Sequence, residues 1–379
     1  MFWIAWRMLI GNPGKYLGIV LGVAVSAFLI AQQASIFCGL MNMTASQIRD
    51  VKGVDLWVCD ESIQFVSESL PMTDTALNRV RGVSGIEWAV KFYRGIAKAR
   101  LPSGKFQQVI LLGLDESSFV GAPQTILRGS LADLNKTDAI IMDDAGYKQL
   151  WPNDPDYQLG RTIEMNDRRG VLVGICTASR TFETFPVIYT RFNNAVQYSP
   201  TERRTLSYIL AKADPDVDIA ALCQKINQQT GLAAYTHAQF IDKTIWYFMK
   251  NTGIPINFGF VVVLAFIVGA AIAGQTFYLF TVDNIKQFGT LKAMGMTNLR
   301  IFFMVMFQSL QVGLIGLGLG LGGAALFGHM TRGNTKLAFL MIWPIPIITL
   351  AAVLLIIIIA SIFSLWRALT VEPAIVFKG

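Results

Sequence analysis

Two histidines, His237 and His329, and four cysteines, Cys38, Cys59, Cys176 and Cys223, are the residues of this chain best suited to nucleophilic, proton-transfer or metal chemistry. None stands in a pattern that performs it. No Gly-x-Ser-x-Gly elbow occurs, and a general base needs a nucleophile within hydrogen-bond reach, so His237 reads as a surface or packing residue. The cysteines contain no Cys-x-x-Cys pair of the kind that holds zinc; they read either as disulfide partners or as small buried hydrophobes. Gly14-Lys15-Tyr16 and Gly104-Lys105-Phe106 lack both the upstream glycine and the following Ser or Thr with which a P-loop cradles phosphates and magnesium. No catalytic, cofactor-binding or metal residue is therefore expected in this chain.

The elements explain the missing chemistry. Of 379 residues, 53% are hydrophobic and only 15% charged, too apolar for an ordinary soluble domain. The apolar residues are concentrated: 17–37, 254–282, 301–330 and 337–366 contain no Asp, Glu, Lys or Arg, and each reaches the roughly 20 residues that cross a bilayer as a helix. Soluble core helices are shorter and carry a charged outer face. The fold class expected is a membrane α-helical protein with four transmembrane helices and a large α+β extracytoplasmic domain between the first and second.

Orientation follows from basic residues at the span ends. Arg7 and Lys15 precede the first span, Lys286, Lys292 and Arg300 lie between the second and third, and Arg367 and Lys378 follow the fourth, which places all three segments in the cytoplasm. Arg332 and Lys336 in the short outer loop argue mildly the other way. The first apolar stretch exceeds the roughly 7–15 residues of a signal-peptide core, and Ala31-Gln32-Gln33-Ala34 is a poor cleavage site, so it reads as an uncleaved anchor. The net charge of +7 is accounted for by this topology and by membrane lipids, without nucleic acid.

Along the chain, 1–16 reads as an interfacial helix carrying Phe2, Trp3, Trp6 and Met8, and 17–40 as the first span. Residues 41–236 form the inserted domain, with strand-like runs at Asp55-Leu56-Trp57-Val58, Val109-Ile110-Leu111-Leu112, Ala139-Ile140-Ile141-Met142 and Val171-Leu172-Val173-Gly174-Ile175 and helices over 73–80 and 218–230, the second ended by Gly231. Amphipathic 237–253, with Phe240, Ile241, Ile245 and Phe248 on one face, reads as a stalk helix joining the domain to the second span, 254–282. Then come an inner loop (283–300), the third span (301–330), a short outer loop (331–336), the fourth span (337–366) and a tail (367–379). Gly316, Gly318, Gly320 and Gly322 make small-xxx-small pairs in the third span, which serve either ordinary packing within the chain or a subunit interface.

The inner loop carries the most information. Ile285, Phe288, Leu291 and Met294 recur at helical spacing, with Lys286 and Lys292 off the stripe and Gly295 as a stop. Phe288-Gly289-Thr290-Leu291-Lys292-Ala293-Met294-Gly295 resembles the Glu-(Phe/Ile)-Gly-x-Leu-(Lys/Arg)-Ala-(Leu/Met)-Gly segment of MacB/FtsX-type permeases of ABC transporters. Arg367-Ala368-Leu369-Thr370-Val371-Glu372-Pro373-Ala374 resembles their closing region. The order of one span, a large outer domain and three further spans agrees over the whole chain. Gln32-Gln33 followed by Asp55-Leu56-Trp57-Val58 looks most like the DevC-type subfamily. Gln287 departs from the pattern, standing where the family commonly has Glu.

The resemblance implies a non-catalytic permease subunit working as a homodimer in the inner membrane, both termini cytoplasmic and the large domain periplasmic. It implies a separate ABC ATP-binding subunit, which holds the ATP, docked on Ile285, Gln287, Phe288, Gly289, Leu291, Lys292, Met294 and Gly295. For DevC-like members it further implies a membrane-fusion adaptor and an outer-membrane channel exporting a lipid-like or amphiphilic substrate. The alternatives are a membrane sensor or scaffold whose outer domain binds a ligand or partner, and a membrane-tethered enzyme.

Overall fold

The computed structural model describes residues 2–101, 103–154, 156–200, 206–331 and 337–369. Asn12-Pro13 sets the start of the first long helix. Helix α1 (Phe2–Ile10) ends at Gly11, whose amide donates to the Arg7 carbonyl at 2.9 Å; the Asn12 carbonyl then accepts from Tyr16 at 3.1 Å, and Pro13 opens α2 (Pro13–Thr44). Proline suits that position because its φ is already helical and the amide it lacks would have no partner there. The helix runs beyond the apolar stretch at both ends, since Lys15 and the polar residues near Thr44 need not sit in hydrocarbon.

The chain divides into two compact units, 41–252 and the remainder. In the first, helix α3 (Ser46–Asp50) is followed by β1 (Leu56–Cys59), α4 (Thr75–Arg81), β2 (Ile86–Arg100), β3 (Phe106–Leu114), β4 (Thr125–Arg128) and a 3-10 turn at Leu131–Asn135. Next come β5 (Ala139–Asp143), α5 (Asp144–Leu150), β6 (Thr162–Met165), β7 (Arg168–Thr177), β8 (Val187–Arg191), α6 (Phe192–Tyr198), β9 (Tyr208–Ala213), α7 (Ile219–Thr230), β10 (Ala233–Thr236) and α8 (His237–Asn251). The strands form one sheet in the order β10-β1-β9-β2-β3-β8-β5-β7-β4, with β6 pairing β2 and β7.

Strand β2 holds the sheet together by changing partners along its length. Residues 86–92 pair with β9 and residues 93–100 with β3, both antiparallel. Arg94 stands at the changeover and is buried. Its Nε donates to Gln47 Oε1 at 2.7 Å, Nη1 to the Ser67 carbonyl at 2.9 Å, and Nη2 to Ser67 Oγ at 2.8 Å and Glu183 Oε1 at 3.1 Å. A buried guanidinium is tolerable only when its donors are met this fully. Arg94→Met leaves Glu183 and Gln47 without their donor and is expected to cost about 3 kcal/mol or more, read as a lowered thermal midpoint of the full chain.

Asp143, buried at the end of β5, caps α5 through the Gly146 amide (3.1 Å) and holds the first residue of β8 through the Val187 amide (2.7 Å). Burial pushes its carboxyl up to about 6, against the pull of those amides. The folded protein therefore binds more protons than the unfolded chain between roughly pH 4 and 6, and stability falls as pH rises through that window. Asp143→Asn is expected to flatten this dependence, worth on the order of 2 kcal/mol, in melting curves recorded across it.

Helix α7 lies over 219–230 as its periodicity predicts: Asp218 caps it through the Ala220 amide at 3.0 Å, and Gly231 ends it at φ 64°, a left-handed conformation cheap only for glycine. Helix α8 carries the same signature at its start. The Thr236 hydroxyl accepts from the Gln239 amide and the Gln239 side chain from the Thr236 amide. The stalk reading extends it to 253, but the helix ends at Asn251 and the backbone is extended at Thr252. Phe240 packs on Trp57, Tyr208 and Tyr235, Phe248 on Phe65 and Phe182, and Thr244 Oγ1 accepts from the Val66 amide at 3.3 Å, so this helix belongs to the inserted domain's own core.

The second unit continues with α9 (Ile254–Asp283), α10 (Ile285–Ala293), α11 (Asn298–Thr331) and α12 (Pro344–Leu369). With α2, helices α9, α11 and α12 are, among the described residues, the four long and apolar enough to span a membrane. Several of their hydroxyls bond back to their own helices, Ser35 Oγ donating to the Ala31 carbonyl at 2.7 Å and Thr349 Oγ1 to Ile345 at 2.9 Å, while those of Thr281 in α9 and Ser364 in α12 pair with each other. Ile19, Val23, Ala273, Phe277, Val353 and Ile356 share one buried cluster.

One boundary differs from the sequence reading. Residues 337–343, apolar enough to be counted in the fourth span, are not helical, and α12 begins at Pro344. Instead this stretch lies along α2, with the Leu340 amide donating to the Ser35 carbonyl at 3.0 Å. The close approach needs Gly39: a Cβ there would stand 2.8 Å from the Ala338 carbonyl carbon and the Phe339 nitrogen. The outer loop at 332–336, with Arg332 and Lys336, and the tail motif from Thr370 onward lie outside the described residues.

Candidate functional site

The candidate site is α10 and the helix ends around it. Asn284 separates α10 from α9: at φ −95°, ψ 15° it leaves the helical path, while its Nδ2 and backbone amide both donate to the Phe280 carbonyl, at 2.8 and 3.2 Å. Its own carbonyl accepts from Phe288 at 3.1 Å and so starts the new helix. Gly295 closes it at φ 88°.

The helix has two unlike faces. Phe288, Gly289 and Leu291 are buried, in an apolar cluster with Ala5 of α1, Ile301, Met304 and Val305 of α11, and Leu365 of α12. Gln287 and Met294 are exposed, Met294 by 71%, together with Lys286, Thr290 and Ala293; Ile285 and Lys292 are half-buried. The stripe at 285, 288, 291 and 294 is thus split: its middle anchors the helix to the membrane unit and its end faces outward. A nine-residue helix with glycine inside it gains little from propensity alone, so those contacts are what hold it.

Sequence reasoning missed Ala5 as part of this site. Helix α1, read as lying in the interface, exposes Trp3 but buries Ala5 and Leu9, and Gln308 Nε2 of α11 donates to the Ala5 carbonyl at 2.8 Å. The spacing of Ala5 and Leu9, one helical turn apart, is the signal that could have found it.

The four glycines of the small-xxx-small pairs in α11 also divide. Gly316 and Gly320 pack on α2, where Cβ atoms would meet Val23 at 2.8 Å and Ala27 at 2.6 Å, so this pair is intramolecular packing; Gly318 and Gly322 have nothing within 4 Å.

The residues suited to chemistry are not brought together. All four cysteines are free, and no group of three or more His, Cys, Asp or Glu residues could hold a metal among the described residues. Burial pushes the Cys59 thiol up to about 12 and that of Cys223 to about 11, which makes poor nucleophiles. Burial, aided by Lys52 and Arg49, pushes the His237 imidazole down. His329 is exposed at the far end of α11.

Two family models match successive parts of the chain. A model of the MacB-like periplasmic core domain matches residues 16–229, and one of the FtsX-like permease C-terminal region matches residues 259–373. No curated protein matches the chain. Among solved structures, the extracellular domain of the noncanonic ABC-type transporter YknZ from Gram-positive bacteria is 15% identical, covering 48% of this chain and 98% of that one at a TM-score of 0.36. The periplasmic region of MacB from Actinobacillus actinomycetemcomitans is 15% identical, covering 54% and 96% at 0.37. With an inserted domain between a first span and three later ones, and with both family models matched in that order, the chain belongs to the MacB/FtsX-type family of ABC-transporter permeases.

Proposed function

We propose that this chain is the non-catalytic permease subunit of an ATP-driven exporter of the inner membrane, and that a separate ATP-binding subunit docks on the outward face of α10. The observation that carries the reading is the two-faced helix: Phe288 and Leu291 are sunk into the membrane unit while Gln287 and Met294 stand in the open. Such a helix transmits force, because a push on its free face reaches α1, α11 and α12 through its buried one. In this reading α10 and both termini are cytoplasmic, the inserted domain is periplasmic, ATP is held by the partner alone, and two permease copies serve one ATPase dimer. Gln287 meets the ATPase with a neutral hydrogen bond in place of a carboxylate.

The finer reading is of the DevC type: a membrane-fusion adaptor and an outer-membrane channel continue the path, and the cargo is lipid-like or amphiphilic. What supports it is the Gln32-Gln33 and Asp55-Leu56-Trp57-Val58 wording, together with charge-free spans that offer an ion no relay. The test is gentle extraction from the native membrane, mass spectrometry of what copurifies, and an assay of ATP hydrolysis. A P-loop ATPase in the eluate supports the reading; a chain that purifies alone and without activity under several mild conditions overturns it in favour of a sensor or scaffold.

A further inference from the structure

We propose that Lys15 and Asp283 form a clasp that positions the coupling helix, placed for that purpose and not for the stability of the fold. The proposal rests on reading α10 as the seat of the ATPase.

Three observations lead to it. Lys15 Nζ and the Asp283 carboxylate form an ion pair that joins the start of α2 to the end of α9. Each charge also stands at the unfavourable end of its own helix. Lys15 is the third residue of α2, where unpaired amides make the helix end positive, and Asp283 is the last of α9, where unpaired carbonyls make it negative. An acid in the first turn and a base in the last would serve both helices better, and a pair this exposed adds little to stability. Local rules broken on both sides of one contact point to function.

The third observation is what the pair controls. Asp283 is separated from α10 by Asn284 alone, and that residue both ends α9 and begins α10. On the other side, the Lys15 backbone is held by α2's first turn, its amide donating to Asn12 Oδ1 at 3.5 Å. Fixing Asp283 therefore fixes the origin of α10, while the cluster around Phe288 and Leu291 fixes its body. The helix is held at two points, and movement of α2 relative to α9 is conveyed to it through the first.

The experiment uses the full chain in two preparations: unlabelled with its copurifying ATPase, for ATP hydrolysis, and stripped of the ATPase with a spin label at Ala293→Cys on the exposed side of α10, for label mobility. Lys15→Asp and Asp283→Lys are each expected to raise label mobility and to lower permease-dependent ATP hydrolysis about tenfold, with the thermal midpoint unmoved. The double variant Lys15→Asp/Asp283→Lys, which restores the pair with both charges at their favourable helix ends, is expected to return both readouts to within about twofold of the parent. Unchanged mobility in the single variants, a double variant no better than they are, or a midpoint that falls with each single change overturns the clasp. Absence of any ATPase from the parent counts against the docking reading and leaves label mobility to decide the clasp by itself.

Discussion

Replacing Leu291 by Asp is expected to remove the ATPase from the purified permease and to melt the end of the membrane unit with it, whereas Met294→Asp removes the ATPase alone. The two residues lie on one stripe in the sequence, yet Leu291 is 7% exposed and Met294 71%. A carboxylate at 291 must enter the cluster of Ala5, Phe288, Met304 and Leu365, either ionised and unpaired or protonated at the cost of its pKa. That penalty is on the order of 3 kcal/mol or more, a large share of what a marginally stable helix end possesses. At 294 the carboxylate stays in water and disturbs only what docks there. Thermal melting and copurification, measured on both variants, separate the cases: a lowered midpoint for Leu291→Asp only, and loss of ATPase for both. Loss of the midpoint with Met294→Asp, or retention of the ATPase, would place the docking surface elsewhere.

The contrast shows what could be read from sequence at this site. Positions 285, 288, 291 and 294 repeat every three residues, and because a turn takes 3.6 the stripe drifts by about 60° at each step and ends opposite its start; only the neighbours decide which part of it is covered. Those neighbours come from α1, α11 and α12, distant in sequence, so the drift separates Phe288 from Met294 locally but which of the two is covered has no local signal. The same holds in the inserted domain. Buried runs such as Ala139-Ile140-Ile141-Met142 announce a strand because both faces are covered. Strand β2 does not announce itself: its fifteen residues include Lys91, Arg94, Lys98 and Arg100, and it is a strand because β9, β3 and β6 pair with it. The boundary at Pro344 was legible, since a proline opening a helix is a known signal; hydropathy alone carried the span back to 337 across residues that pack on α2.

Gly320→Val is expected to displace α11 from α2, while Gly318→Val leaves the fold intact. Both glycines belong to small-xxx-small pairs two residues apart, on sides of α11 that face different surroundings. At Gly320 a Cβ would stand 2.6 Å from the Ala24 carbonyl oxygen and 2.8 Å from the Phe28 nitrogen. Those are backbone atoms of a long helix and cannot rotate away as the tip of a side chain would, so the helices themselves must separate. Overpacking of this kind costs about 1–3 kcal/mol when side chains can adjust, and an obstacle made of backbone puts Gly320→Val at the upper end of that range or beyond. The loss compounds, because close approach in lipid is what lets dispersion hold helices that have no water to exclude. At Gly318 nothing lies within 4 Å, and valine there meets only what surrounds the membrane unit. Thermal unfolding in detergent, with the size of the purified particle read alongside, checks the pair: a lowered midpoint for Gly320→Val and an unchanged one for Gly318→Val. A smaller particle at unchanged midpoint for Gly318→Val would assign that second face to contact between copies of the chain, which is the other purpose such spacing serves.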